Sequence, residues 1–175
     1  MVKVRRGENS SWSDSHDVTT NSSLTTFTVE GLQPFTVYSF RVEAVWDSEL
    51  RAESAESYYM VTLRELPTGS PTITTAHNVS STSVYLAWEP PHPLTVHGEF
   101  LGYRLSYQPR HATKAGPRER KKSLVLKSPD IQEFILRDLS TYTEYNVALQ
   151  VINPEGAGPA AKVTVMTDEG GERKY

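Results

Sequence analysis

Three side-chain types used in nucleophilic catalysis stand together at Asp14-Ser15-His16-Asp17. A working triad brings an oriented base to its nucleophile through the fold and sets both beside oxyanion donors. Neighbouring residues of an extended chain point to opposite sides, so this run fits a solvated hairpin better than an active site. Histidines stand at 16, 77, 92, 97 and 111. None has the HExxH or i, i+4 spacing that puts two imidazoles on one helical face toward a metal. His92 and His97 flank one loop, and an ordinary polar loop accounts for them. The chain has no cysteine, which removes thiol nucleophiles, thiolate zinc sites and a disulfide framework. No GxGxxG or GxxxxGKS/T run offers a phosphate cradle. No catalytic residue, cofactor or metal is expected.

Two other patterns bear on modification and binding. Asn9-Ser10-Ser11, Asn21-Ser22-Ser23 and Asn78-Val79-Ser80 are N-x-S/T acceptors. All three fall in expected loops or strand ends, where a glycan would be solvated. Arg110, Lys114, Arg118, Arg120, Lys121 and Lys122 crowd one long connection. Arg118, Arg120, Lys121 and Lys122 form a candidate patch for heparan sulfate or anionic lipid. The competing account is a solvated loop. The formal net charge is -3, which gives nucleic acid no general attraction.

The elements that must position these residues are strands. Aromatics make up 10% of the 175 residues, including 9 Tyr, and such side chains suit a half-buried pleated surface. Self-comparison then exposes a duplication. Phe27-Thr28-Val29-Glu30-Gly31-Leu32 matches Phe134-Ile135-Leu136-Arg137-Asp138-Leu139, and Thr36-Val37-Tyr38 matches Thr143-Glu144-Tyr145, all at an offset of 107. That period suits a β-sandwich of about 100 residues, whereas helical solenoids repeat every ~20–50. Within the copies, Tyr38, Phe40, Val42 and Ala44 are expected inward, with Ser39, Arg41 and Glu43 outward. Tyr145, Val147, Leu149 and Val151 form the matching inward row, and Val84, Leu86 and Trp88 another. Tyr38, Trp88 and Tyr145 are assigned to the core. Each tyrosine follows a leucine by six residues, as in a tyrosine corner whose hydroxyl bonds an upstream backbone group.

These residues resemble the fibronectin type III superfamily. The resemblance runs through Trp88 with Pro90-Pro91, Gly102-Tyr103-Arg104-Leu105-Ser106-Tyr107, Leu139 with Tyr145, and the Asn153-Pro154-Glu155-Gly156 turn. Glu56-Ser57-Tyr58-Tyr59-Met60-Val61-Thr62-Leu63-Arg64-Glu65, Gly98 to Arg104 and Val165 to Gly170 further resemble the type III repeats of sidekick adhesion receptors. That resemblance implies an all-β fold of tandem immunoglobulin-like antiparallel sandwiches. It also implies the extracellular stalk of a single-pass neuronal surface protein at junctions or synapses. Its partners would be proteins, met homophilically through immunoglobulin domains outside this chain.

The expected organisation is a partial module over 1–66, a complete one over 67–170 and a tail at 171–175. Val2 and Val4 align with Leu105 and Tyr107, so the first copy lacks its strands A and B and the counterpart of Trp88. The opening strand-like residues and the lack of a signal peptide suggest a segment of something longer. Trp46-Asp47-Ser48-Glu49-Leu50-Arg51 stands where a Gly-containing turn is expected. Trp12-Ser13-Asp14-Ser15 matches half of a WSxWS box, but the second Trp-Ser is absent, so it is set aside. Two rivals stay open: an intracellular scaffold, or the ectodomain of a receptor tyrosine phosphatase or kinase.

Overall fold

Alternation of aliphatic and charged residues in Val-Lys-Val-Arg-Arg makes the first segment a strand, β1 (Val2–Arg6). The computed structural model describes residues 1–47, 49–110 and 121–170. A short 3-10 turn at Trp12–Asp14, capped by the Ser11 hydroxyl, returns the chain into β2 (His16–Val18). The longest strand of this half, β3 (Val37–Val45), pairs antiparallel with β1 on one side. On its other side it pairs with β4 (Arg51–Glu53) and, nearer its start, with β5 (Met60–Val61). The sheet order is therefore β2-β1-β3-β4, with β5 alongside β3.

Among the described residues, the second half holds a three-stranded and a four-stranded sheet. β6 (Thr72–Ser80), β7 (Ser83–Glu89) and β10 (Glu133–Leu136) form the first, in the order β10-β7-β6. β8 (Gly102–Pro109), β9 (Lys122–Leu126), β11 (Glu144–Asn153) and β12 (Gly156–Met166) form the second, in the order β12-β11-β8-β9. The pairs are antiparallel. The chain divides into two compact units, Met1–Glu65 and Leu66–Tyr175.

In the second unit the inward rows meet. Val84, Leu86 and Trp88 from one sheet and Tyr103, Leu105, Tyr145, Val147, Leu149 and Val151 from the other make one buried cluster. Trp88 packs edge-on against Tyr103 at 5.3 Å, and Phe100 packs edge-on against the same ring at 5.3 Å. In the first unit the core is small: Val2, Val4 and Tyr38, with Val18, Val29, Leu32 and Phe40 packed against it.

The inward assignment for β3 needs correction. Tyr38 is buried and Phe40 partly so, but Val42 and Ala44 are exposed while Ser39 and Glu43 are buried. The period of two is intact. What differs is the extent of cover: charged and aromatic side chains shield the expected outer face, whereas on the inner one Val2, Val4 and Tyr38 are buried against Val18, Val29 and Leu32 while Val42 is left exposed.

Candidate functional surfaces

The two tyrosines sit at the same structural corner in both units. The Gln33 N–H donates to the Tyr38 hydroxyl at 2.9 Å, and the Ser140 N–H to that of Tyr145 at 2.9 Å. A threonine closes each corner. The Thr62 hydroxyl accepts from the Thr36 N–H at 3.0 Å and donates to the Gln33 carbonyl at 2.6 Å. Thr167 does the same with Thr143 and Ser140, at 3.0 and 2.8 Å. Positive φ recurs at matched places, Gly31 with Asp138 and Phe35 with Tyr142. Glycine and aspartate enter that region readily, but Phe35 and Tyr142 do so against their usual preference. The corner holds them by N–H bonds from Phe35 to Leu63 and from Tyr142 to Asp168, each 3.0 Å. The phenols are thus engaged in packing and backbone capping. The threonines were not singled out from sequence; their signal is a Thr at the same step beyond the last strand of each copy.

A second arrangement covers the expected outer face of the first unit. Two guanidinium groups lie over the Trp12 ring, Arg41 at 4.3 Å and Arg5 at 4.8 Å from its centre. Arg5 also faces the Tyr59 ring and bonds the Ser39 and Tyr59 hydroxyls, each at 3.0 Å. Glu56 accepts from Arg5 and, at 3.3 Å, from the Trp12 indole N–H. Glu53 accepts from Lys3 at 2.6 Å and from Arg41 at 3.4 Å, and Arg51 pairs with Glu43 at 3.5 Å. The Lys3 hydrogen bond holds the Glu53 carboxyl below the usual glutamate range, and the same bond raises Lys3. Alternating charges and rings of this kind form a cohesive cover rather than a reaction centre. Trp12, set aside as half of a box, is therefore its central ring.

A third feature is an open apolar groove of about 560 Å³ on the opposite face. Phe27, Val29, Leu32, Phe40, Val42 and Met60 are among its walls.

The remaining candidates are spread apart. Asn9 and Asn21 are exposed in bends of the first unit. Asn78 departs from the loop or strand-end expectation: it lies within β6, opposite Val84, and is half-buried. Arg118 and Arg120 lie outside the described residues, as do Lys114, His111 and the tail 171–175. Lys121 and Lys122 are exposed, whereas Arg110 is paired with Glu144 at 2.9 Å. Asp14 lies in the 3-10 turn, while His16 and Asp17 are on exposed β2 opposite Val4 and Lys3. The ring of His92 accepts from the Leu94 N–H, and that of His97 meets the Leu66 carbonyl at 3.1 Å. Where a glycine turn was expected, the Asp47 carboxylate accepts from the N–H groups of Glu49 and Leu50, each at 2.8 Å. Those two bonds lower its pKa and replace glycine with an Asx turn.

Comparison with known proteins places this geometry. The Fibronectin type III domain model matches residues 69–167. A protein described as a receptor-type tyrosine-protein phosphatase, mosPTP-1 of Aedes aegypti, is 47% identical over 170 residues, covering 97% of this chain and 13% of that protein. Protein sidekick-2 of Mus musculus is 31% identical over 160 residues, covering 82% and 7%. Cell adhesion molecule Dscam1 of Drosophila melanogaster is 28% identical over 162 residues, covering 93% and 8%. Among solved structures, the third fibronectin III domain of human KIAA0343 protein aligns with a TM-score of 0.55 at 26% identity, covering 64% of this chain and 91% of that one. The chain thus spans a small part of the length of the phosphatase, of sidekick-2 and of Dscam1. With two matched tyrosine corners, a seven-stranded double sheet around Trp88 and a family match over most of the second unit, the chain belongs to the fibronectin type III family.

Proposed function

We propose that this chain is a non-catalytic extracellular spacer within a single-pass cell-surface receptor. Residues 1–66 are read as part of one module without its first two strands, 67–170 as a whole module and 171–175 as a tail. The observation that carries the reading is the duplicated corner: the polar groups repeated in both units, Tyr38 with Thr62 and Tyr145 with Thr167, are spent on backbone capping. What repeats is a scaffold, and a scaffold in tandem sets distance and orientation. Similarity to the cell adhesion molecule Dscam1 and to sidekick-2 supports a role in cell–cell adhesion, with protein partners met by other parts of the parent.

A second reading concerns the parent. Identity of 47% to the receptor-type phosphatase, against 31% to sidekick-2, favours the ectodomain of a receptor tyrosine phosphatase. Both readings put Asn9, Asn21 and Asn78 outside the cell. Exposed Asn9 and Asn21 are the better acceptors; half-buried Asn78 sits in a ladder. Peptide mass analysis after secretory expression in insect cells should find glycan at Asn9 or Asn21. Complete lack of occupancy at both would count for an intracellular scaffold. The transcript downstream of Tyr175 separates the parents, since a phosphatase catalytic domain is encoded there in one case only. The basic patch is an accessory hypothesis: changing Arg120, Lys121 and Lys122 to Ala should lower the salt needed to elute the chain from heparin.

A further inference from the structure

The sheet face that Trp12 covers in the first unit is built differently in the second. The register sets Lys3 of β1 against Arg41 of β3, and Ser106 of β8 against Ala148 of β11. Arg41 precedes Ala148 by the repeat offset of 107, and Lys3 sits between Val2 and Val4 as Ser106 sits between Leu105 and Tyr107. Two long cations that meet carboxylates in one copy are therefore two small residues in the other. Beside Ala148, the outer face of the β8–β11–β12 sheet holds an open trough of about 500 Å³.

Hydrogen-bond donors and positive charge line this trough. Lys121 and Lys162 are among its walls, with Gln108, Asn146 and Thr164. The Thr164 hydroxyl donates to Asn146 Oδ1 at 3.1 Å, which leaves the amide hydrogens of Asn146 for another acceptor. No carboxylate is among the walls, and neither ammonium has an ion pair among the described residues. Two residues before Asn146 on β11, the Glu144 carboxylate is already paired with Arg110 at 2.9 Å. Arg104, exposed two residues before Ser106 on the same face, adds a third cation. The Ser106 hydroxyl itself is buried on this face with no hydrogen-bond partner among the described residues. Lys121 lies just ahead of β9 and Lys162 on β12, at the two sides of the four-stranded sheet. Three strand spacings separate them, about 14 Å across the strands. That separation suits a long polyanion better than a single small anion, and a recessed floor is out of reach of a flat headgroup surface.

We propose that this face of the second unit binds a sulfated polysaccharide chain laid across the strands. Lys121 and Lys162 hold sulfates at its two sides, and the Asn146 amide donates between them. The site goes beyond the basic connection, since Arg104, Asn146 and Lys162 lie outside it. Its biological setting rests on the extracellular reading. Glycan occupancy reports on that reading, whereas oligosaccharide binding by the purified chain does not depend on it.

The test titrates the full chain with a size-defined heparin oligosaccharide at an ionic strength of about 0.15 M. Lys162→Gln and Asn146→Asp are each expected to weaken binding about three- to tenfold. Asn146→Asp keeps the acceptor for Thr164 and exchanges the outward donor for charge of the wrong sign. Lys162→Gln should also lower the salt dependence, because fewer counterions are released. Both side chains are exposed, so thermal unfolding should stay where it was. Lys127→Gln and Arg137→Gln remove exposed cations outside the trough and should bind as the parent does. Equal weakening by all four variants would overturn the proposal, because charge alone would then account for binding. So would a parent chain that does not bind, or binding lost with the Arg120, Lys121 and Lys122 changes but kept in Lys162→Gln and Asn146→Asp. Phosphatidylserine vesicles provide the last arm: trough variants that release vesicles while keeping heparin would make the ligand a membrane and sink the polysaccharide.

Discussion

Trp12 shows how much depends on partners distant in sequence. Its ring is contacted by the guanidinium groups of Arg5 and Arg41, one on each of two paired strands, and its N–H bonds Glu56. A guanidinium over an indole contributes about 0.5–2 kcal/mol depending on desolvation, and here two act on one ring. Trp12→Ala is expected to cost the first unit roughly 1–2 kcal/mol, read by denaturant unfolding at the amides of β1 and β3. Trp46→Ala, removing a ring that is 69% exposed, should change little. Equal effects from both would mean that the stacking is ornamental. The neighbouring Lys3–Glu53 pair makes the same face sensitive to pH. Glu53 has a lowered pKa, so its contribution is present above the unfolded value and lost as pH falls through the folded one. Lys3 has a raised pKa, so its contribution is present below the unfolded value and lost as pH rises through the folded one. The pair therefore supports the unit between the acid carboxylate range and the alkaline ammonium range, by a small amount because it lies at the surface. Glu53→Gln should flatten both limbs of the unit's stability–pH curve, and a curve that keeps its wild-type slopes would refute the linkage.

At the scale of elements, the strands are where sequence spoke most clearly. Tyr145, Val147, Leu149 and Val151 alternate with polar or small residues, and a period of two is a local signal needing no knowledge of partners. The corner tyrosines were visible for the same reason, through fixed spacing to a leucine. Thr62 and Thr167 were not, because a threonine just past a strand is unremarkable until its hydroxyl meets a carbonyl 29 or 27 residues away. The ladder around Trp12 was hidden likewise: Glu56 is 44 residues from the indole it accepts from. On β3 the pattern was legible and its outcome was not, since alternation gives two faces without saying which is covered. Gly102 makes a sharper element-scale case. It opens β8 at φ 133, and a Cβ there would stand 2.0 Å from the Leu126 carbonyl oxygen of β9. That neighbour is backbone and cannot rotate aside. Gly102→Ala should cost the second unit about 3 kcal/mol in thermal unfolding. A loss under half a kcal/mol would show that β8 and β9 separate without penalty.

For the molecule as a whole, unequal cores predict unequal stability. Among the described residues, the second unit closes fourteen buried apolar side chains into one cluster, while the first has three. Fully burying a large apolar side chain stabilises by about 1.5–3 kcal/mol, against a net stability of only about 5–15 kcal/mol for a domain. A few missing contacts thus remove a whole margin, and in the first unit Phe27, Val42 and Met60 keep half or more of their surface in water or close to it. The ion pairs on its other face do not make good the deficit, because exposed pairs contribute about 0–1 kcal/mol each. Unfolding of the chain should therefore show two steps. Amides of residues 24–62 should exchange by sub-global opening, and those of β7, β8 and β11 only with global unfolding of the second unit. Deleting residues 1–65 should leave the second step where it was. Were residues 24–62 to exchange as slowly as β11, the groove would have to be covered in solution by the chain itself, and the tight corner at Tyr38 would be anchoring a complete core rather than half of one.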